Sequence, residues 1–563
     1  MSIQNDFVID NGTGAAVRVD IQNAFQALAN NSSGSSAPST NYASQFFANT
    51  STSIMQINNT AGNAFIDLFT LNGGPAFAVD GTINGLDIGK GGNSVSTNTC
   101  FGKNALEDNS SGAGNNSAFG DGALKNNTTG DKNSAFGALG LDANTEGSNL
   151  TALGYGSLSA NTTGNSSVAI GSLALKTNTT GTRNTGIGVE SLEGNDTGDD
   201  NTAVGFRSLE DNTASDNTAV GSETLKENTS GNQNVAIGTI ALNANTTADN
   251  NTAVGHNSLS SNTTGSENVA VGKAALATNT TASNNVAVGV NTMLLNTTGH
   301  QNVGIGNFAL DANTEGNDNT AVGYAALTNA TTASQNVAIG KDALAQTTVG
   351  NLNVSIGNDS LTTNVAADRN VAVGEQALKN MTQSSSADTY NIGIGFQAGL
   401  NISSGQQNTS VGGNAGDVTT TGSNNTSLGY QADPSANSAS NEVTLGNSSV
   451  TAIRCQVQSI SALSDERDKT DIVDSEDGLD IINALRPRKF TWAMREPSAN
   501  DGKTELGFIA QEIDAALGDK NDYIGAVYKS NPDKLEASYG KFVPILVKAV
   551  QELSAKVTAL EAG

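Results

Sequence analysis

A short motif, N-[T/V]-A-[V/I]-G, returns along most of this chain with almost no change of step. Its closing glycine falls at Gly102, Gly120, Gly137, Gly154, Gly171, Gly188, Gly205 and Gly221, and so on to Gly446. There are 21 such glycines, and 17 of the 20 intervals between them are 17 residues long. A fixed period this short predicts a stacked, quasi-one-dimensional architecture. The chain is rich in polar residues, with 63 glycines and only 4% aromatic residues. Composition alone would suggest disorder, but a disordered segment has no need of a period.

A typical unit runs from Asn251 to Glu267, N-T-A-V-G-H-N-S-L-S-S-N-T-T-G-S-E. Val254 recurs as Val271, Val288, Ile305, Val322, Ile339 and Val373. Leu259 recurs as Leu242, Leu276, Leu310, Leu327, Leu344 and Leu361. The first half is β-branched and alternating, and it reads as a short strand. The half around the leucine is a second strand or one helical turn. N-T-T-G is turn chemistry, because Asn and Gly tolerate positive φ. It also matches a glycosylation sequon, but the turn reading is preferred. One unit per coil gives a parallel β-solenoid, a rod of about 95 Å at about 4.8 Å per coil.

Asparagine fills two columns. Asn234, Asn251, Asn268, Asn285, Asn302 and Asn319 precede the strand; Asn228, Asn245, Asn262, Asn279, Asn296 and Asn313 follow the leucine. Both columns are expected to form stacked amide ladders. Both strand faces read as buried, with Thr/Val and Val/Ile on one side and Ala203, Ala219, Ala236, Ala253 and Ala270 on the other. Either the Ala face or the Val face is therefore expected to lie against sister chains. The sequence by itself says only that the chain is not a monomer; threefold symmetry is the expectation.

Three intervals lapse: Gly102–Gly120 has 18 residues, Gly205–Gly221 has 16 and Gly374–Gly395 has 21. All three changes fall between the leucine segment and the next strand, the last one carrying four extra residues between Met381 and Asn391. That corner is expected to face solvent in every coil, and Thr382 to Tyr390 is a candidate contact surface.

The flanking segments differ. Residues 1–75 lack the period: Val17, Ile21, Phe25 and Leu28 have helical spacing, and 45–73 reads as strands with turns at Asn58-Asn59 and Gly62-Asn63. This is expected to be an attachment module, or else a cap that shields the first coil, followed by a transition and cap at 76–101, the solenoid at 102–446 and a connector at 447–463. The last 100 residues hold 32 of the chain's 81 charged residues, which marks a domain at 464–563. Its closing helix, about Phe542 to Ala562, carries Leu546, Val550, Leu553, Val557 and Leu560 at heptad spacing. This seam would serve an interchain coiled coil or packing on its own domain.

The net charge of −27 argues against nucleic acid as a partner. No run approaches the ~20 apolar residues of a membrane helix, and the first residues show neither a basic nor an apolar signal region. Cys100 and Cys455 read as unrelated free thiols. His256 and His300 occupy non-equivalent coil positions, so no metal site is expected, and no cofactor motif is present. From its residues alone, Ser464 reads as the N-cap of an acidic first turn.

From about Asn441 onward, the segment resembles the self-cleaving intramolecular chaperone at the C-terminus of phage tailspikes, endosialidases and neck appendages. Three stretches carry the resemblance: Ser464-Asp465-x-Arg467-x-Lys469, the Leu485 to Trp492 stretch, and Gly507-Phe508-Ile509-Ala510-Gln511-Glu512. The repeats are similar to those of phage fibres and, more distantly, to trimeric adhesin heads. The resemblance implies cleavage at Leu463–Ser464, with Ser464 as nucleophile and Lys469 as base or activator. That role asks for a neutral amine, which burial would favour. Asp465 and Arg467 would hold the loop by pairing. The implied protein is a homotrimeric phage tail fibre, held by its N-terminal module to a tail protein and touching a host surface receptor. It would be assembled in the host cytoplasm and located in the virion tail, with single-turnover autoproteolysis as its one reaction. Two alternatives are a polysaccharide-degrading tailspike, which needs a carboxylate pair and aromatic platforms, and a cellular trimeric adhesin, which needs a signal peptide and a membrane anchor.

Overall fold

The computed structural model describes residues 86–110, 112–450, 452–454, 464–493, 502–529, 533 and 535–563, together with the backbone of short strands at 33–34, 46–49, 54–58, 65–70 and 81–83. The fold is mainly β, a parallel β-solenoid of about 17 residues per turn. The chain divides into two compact units, 1–281 and 282–563.

In the first unit, strands Phe46–Asn49, Ile54–Asn58 and Phe65–Thr70 form an antiparallel sheet, in line with the strands expected there. The helical spacing of Val17 to Leu28, both expected turns and Cys455 lie outside the described residues. A hairpin of Gly81–Ile83 and Leu86–Gly89 then pairs antiparallel with the first coil strand, Thr99–Phe101. From that strand to Val269–Val271 the strands are three residues long and pair in parallel, each residue opposite its equivalent one coil on: Thr252↔Val269, Ala253↔Ala270, Val254↔Val271. The second unit repeats this from Val286–Val288 to Val443–Leu445.

The middle residue of each strand points into the coil. Ala203, Ala219, Ala236, Ala253 and Ala270 are all 0% exposed, packed in the same interior as Leu209, Leu225, Leu242 and Leu259. Each buried leucine contributes about 2 kcal/mol. The Ala column is therefore filled by its own chain and has no surface for a sister chain. The Val/Ile column does face outward, with Ile237 and Ile305 each 41% exposed. The expectation that both faces are buried fails in the single chain because a coil this thin has one interior.

Backbone geometry explains the conserved step. Gly255 has φ +136°, and a Cβ there would lie 2.4 Å from the carbonyl oxygen of Gly272 in the next coil. The leucine segment is neither strand nor helix but a run of turns. Leu242 has φ +50° and Leu259 φ +49°, and two further non-glycine positions per coil are left-handed, as at Asn257 and Asn250. Each costs about 1 kcal/mol or more in isolation, so a coil is held in shape by its neighbours.

Among the hydrogen-bonded ladders that do that holding, three run through side-chain acceptors. In the first asparagine column, the Asn133 backbone N–H donates to Asn116 Oδ1 at 2.9 Å, and Asn116 Nδ2 donates to Gly130 O at 3.0 Å. In the second, Asn161 Nδ2 donates to Asn144 Oδ1 at 2.7 Å. The third was not foreseen: Ser148 N–H donates to Asn165 Oδ1 at 2.8 Å, Asp249 N–H to Ser266 Oγ at 3.1 Å and Ser283 N–H to His300 Nδ1 at 3.0 Å. His300 is thus one rung of a structural ladder.

The lapses keep this scheme. In the short corner the carbonyl of Ala214 accepts from both Asn201 and Asn212, as that of Gly198 does from Asn184 and Asn195. In the long corner Ser384, Ser385 and Ser386 are exposed, and Ala387–Asp388 adds a parallel bridge to Ala367–Asp368. Corner tips such as Thr129, Glu146 and Thr163 are exposed, while the adjoining Gly130, Gly147 and Gly164 face inward.

Candidate autoproteolytic site and chaperone segment

The segment after the solenoid builds a small core from Ile481, Ile513, Leu517, Ala526, Val527, Phe542 and Ile545. Five of them come from the helices Leu479–Ala484, Ala510–Leu517 and Val543–Ala562 and the strand Val527–Tyr528; Ala526 directly precedes that strand, and Phe542 closes the 3₁₀ turn Tyr539–Phe542. The N-terminus of Leu479–Ala484 receives the carboxylate of Glu552, whose Oε2 accepts from Leu479 N–H at 2.9 Å. An anion at that end offsets the unpaired amides and the helix dipole. Asp477 is held below its usual carboxylate range by Lys520 and by the Tyr523 hydroxyl, at 2.6 and 2.7 Å.

Two of the three motif stretches meet in this core. Strand Arg488–Thr491 pairs antiparallel with Thr504–Gly507. Arg488 grips Glu512 with two bonds, at 2.9 and 2.5 Å, which pulls the Glu512 carboxyl below its ordinary range. Gly507 is required by crowding: a Cβ would meet Tyr539 Oη at 2.8 Å and the Phe490 ring at 3.2 Å. The Tyr539 hydroxyl in turn accepts from Phe508 N–H at 3.0 Å. Gln511 lies exposed on its helix.

The third stretch brings Ser464 and Lys469 together. Asp465 caps a single 3₁₀ turn, Glu466–Asp468, by accepting from Arg467 N–H at 2.9 Å. It also binds the Arg467 guanidinium at 2.9 and 2.5 Å, and that contact lowers the Asp465 pKa. The cap is therefore Asp465, one residue later than the position read from sequence. The turn reverses the chain within five residues, so that Lys469 Nζ lies 2.7 Å from Ser464 Oγ and 3.4 Å from Ser464 O. An amine at that distance from a hydroxyl can accept its proton once the amine is neutral. Both groups are exposed in the single chain, so the described residues do not bury Lys469 as the resemblance led one to expect. Leu463 lies outside the described residues.

The closing helix has two faces. Ile545 and Ala549 are buried against the small core, while Leu546, Val550, Leu553, Val557 and Leu560 are exposed. Packing on its own domain and an open heptad seam thus coexist on adjacent faces of one helix. Elsewhere, Glu190, Glu193 and Glu210 come close together, but Arg207 and Lys176 pair with them. No described helix is long and apolar enough to cross a membrane.

A family model described as the chaperone of endosialidase matches residues 464–521. The match begins at Ser464 and takes in Lys469, Arg488 and Glu512. No curated protein and no solved structure matched the chain. With the long solenoid before it, the matched segment fits a phage fibre of the tailspike or endosialidase type that carries an intramolecular chaperone at its C-terminal end.

Proposed function

We propose that this chain is the subunit of a homotrimeric phage tail fibre that adheres to the host surface, and that its C-terminal chaperone removes itself by cutting Leu463–Ser464. The observation that carries the reading is the 2.7 Å approach of Lys469 Nζ to Ser464 Oγ at the first residues of the matched chaperone segment. Ser464 Oγ attacks the Leu463 carbonyl, Lys469 takes the hydroxyl proton and passes it to the Ser464 nitrogen, and the C–N bond breaks to leave an ester and a free Ser464 amine. Water then hydrolyses the ester, releasing the Leu463 carboxylate. Asp465 and Arg467 keep the turn in shape.

The solenoid gives this arrangement its reason. Its contacts are long-range in sequence, its coils are nearly interchangeable, and each coil contains strained residues, so nucleation is slow and register ambiguous. A C-terminal domain that aligns chains through the exposed heptad seam removes both difficulties. Cutting it off afterwards makes assembly irreversible. Attachment to the tail falls to the N-terminal module, and host contact to the solvent-facing corners, including Thr382 to Tyr390.

Intact and native mass of the purified protein test this reading. The expected result is a three-copy assembly of chains ending at Leu463, with Ser464→Ala giving uncut chains. A full-length monomer overturns it.

A further inference from the structure

Each coil strand presents two residues outward, on either side of its buried middle residue. Over the 21 coil strands, all 42 of these residues are Val, Ile, Leu, Phe, Thr or Ser, and none is charged. They are partly to well exposed: Leu153 is 48%, Ile237 41% and Ile339 38% exposed. Other exposed positions around the coil freely carry charge, as at Lys132, Glu146, Arg183 and Asp200. At the N-terminal end of the same face Phe119 and Phe136 stack at 4.7 Å with their planes 4° apart. The next position past the glycine is mixed and bounds the face: it carries exposed rings at Tyr155, Phe206, Tyr324, Phe396 and Tyr430 and exposed charges at Lys103, Asp121, Lys273, Lys341 and Glu375.

A continuous apolar face is unusual on a chain that works alone. Its size can be set against what association needs. Three residues of strand are about 10 Å wide, and strands are about 4.8 Å apart. The eleven coil strands of the first unit then present about 530 Å² and the ten of the second about 480 Å². A lasting interface buries about 1,000 Å² in total, about 500 Å² from each partner, and the face of each unit reaches about that size by itself. The absence of charge leaves nothing to attract a charged polymer. The strict step also narrows the partner, because an occupant must repeat every 17 residues over the whole set of coils, and a second copy does so by construction.

We propose that the outward Thr/Val–Val/Ile strand face of the solenoid is a homotypic interface, covered along both units by other copies of this chain. The proposal rests on the multi-chain reading above and adds the surface through which the shafts meet.

Thiol accessibility in the purified full chain tests it. In a Cys100→Ala, Cys455→Ser background, Ile237→Cys and Ile339→Cys place one thiol on the face in each unit. Thr264→Cys and Thr332→Cys place exposed thiols at corners away from it. The face thiols are expected to react with a maleimide at least tenfold more slowly than the corner thiols, and to match them after the chains are dissociated. Equal rates in an assembly whose native mass is three copies overturn the proposed face and leave the trimer standing. A native mass of one copy overturns both. Each unit has its own reporter, so a variant that fails to fold leaves the other to decide.

Discussion

Asn262 Nδ2 donates to Oδ1 of Asn245, one coil earlier, at 3.0 Å, and both side chains are fully buried. Asn245 Nδ2 in turn reaches Asn228 Oδ1 at 2.8 Å and Ala248 O at 3.1 Å. Asn245→Ala would leave two buried acceptors, Asn228 Oδ1 and Ala248 O, and one buried donor, Asn262 Nδ2, each short of a bond. The expected cost is about 2–4 kcal/mol, read as a lower denaturation midpoint. Asn245→Asp should cost more, because a buried carboxylate would face the Asn228 oxygen. The same column carries Met381 and Ile402 in later coils, which shows that apolar residues are accepted where the neighbours change with them.

Gly255→Ala tests the conserved step itself. The new Cβ would meet backbone rather than a movable side chain, and the left-handed φ is unfavourable for alanine. A loss of about 3 kcal/mol or more is expected, seen as lost soluble assembly. Glycine positions with room around them, such as Gly112, should tolerate alanine within about 0.5 kcal/mol in the same assay.

Asp433 stands where earlier coils have leucine. Burial and the neighbouring Asp417 carboxyl push its pKa up from 3.8 to about 6, and its Oδ1 is buried without a partner. A raised carboxyl pKa favours the protonated folded state, so the associated stability is present below about pH 4 and is lost as pH rises towards 6. Because the group is half exposed, the effect is discounted to about 1 kcal/mol. Asp433→Leu should remove that part of the pH dependence, measured as the difference between wild type and variant in unfolding free energy at pH 4 and pH 7.

Cleavage should separate the roles around Ser464. Lys469→Met is expected to leave the chain whole. Asp465→Ala removes the cap of the 3₁₀ turn and the anchor of Arg467, which costs about 1 kcal/mol of turn stability. The uncut band should then disappear roughly tenfold more slowly, but still disappear. Complete loss of cutting in Asp465→Ala would make Asp465 more than a positioning residue.

Much of the fold was legible in the sequence because one residue type marks one place in the coil. Glycine, leucine and two asparagine columns each announce themselves at a single offset. The third ladder escaped notice because its column mixes Asp, Asn, Ser, Thr and His; what they share is an acceptor atom, not a residue type. The leucine turn escaped because no propensity places leucine at positive φ, and only stacking holds it there. Alternation along the strand separated the Ala and Val faces, but which one lay inside depended on where the leucine returned. At the C-terminal site, the pairing of Ser464 with Lys469 came from resemblance. A five-residue separation suits no regular element, and the contact exists through a single 3₁₀ turn fastened by Asp465. The roles of Gly507 and Glu512 became clear only with Tyr539 and Arg488 beside them.

The last coil also changes its interior. Asp433 replaces the leucine and Glu442 the first-column asparagine, its carboxylate bound by Ser435 N–H and Oγ. A further coil laid on that end, from this chain or another, would have to cover two acidic groups. The end of the stack is thus marked chemically, and laying a further coil on it would carry the cost of burying charge.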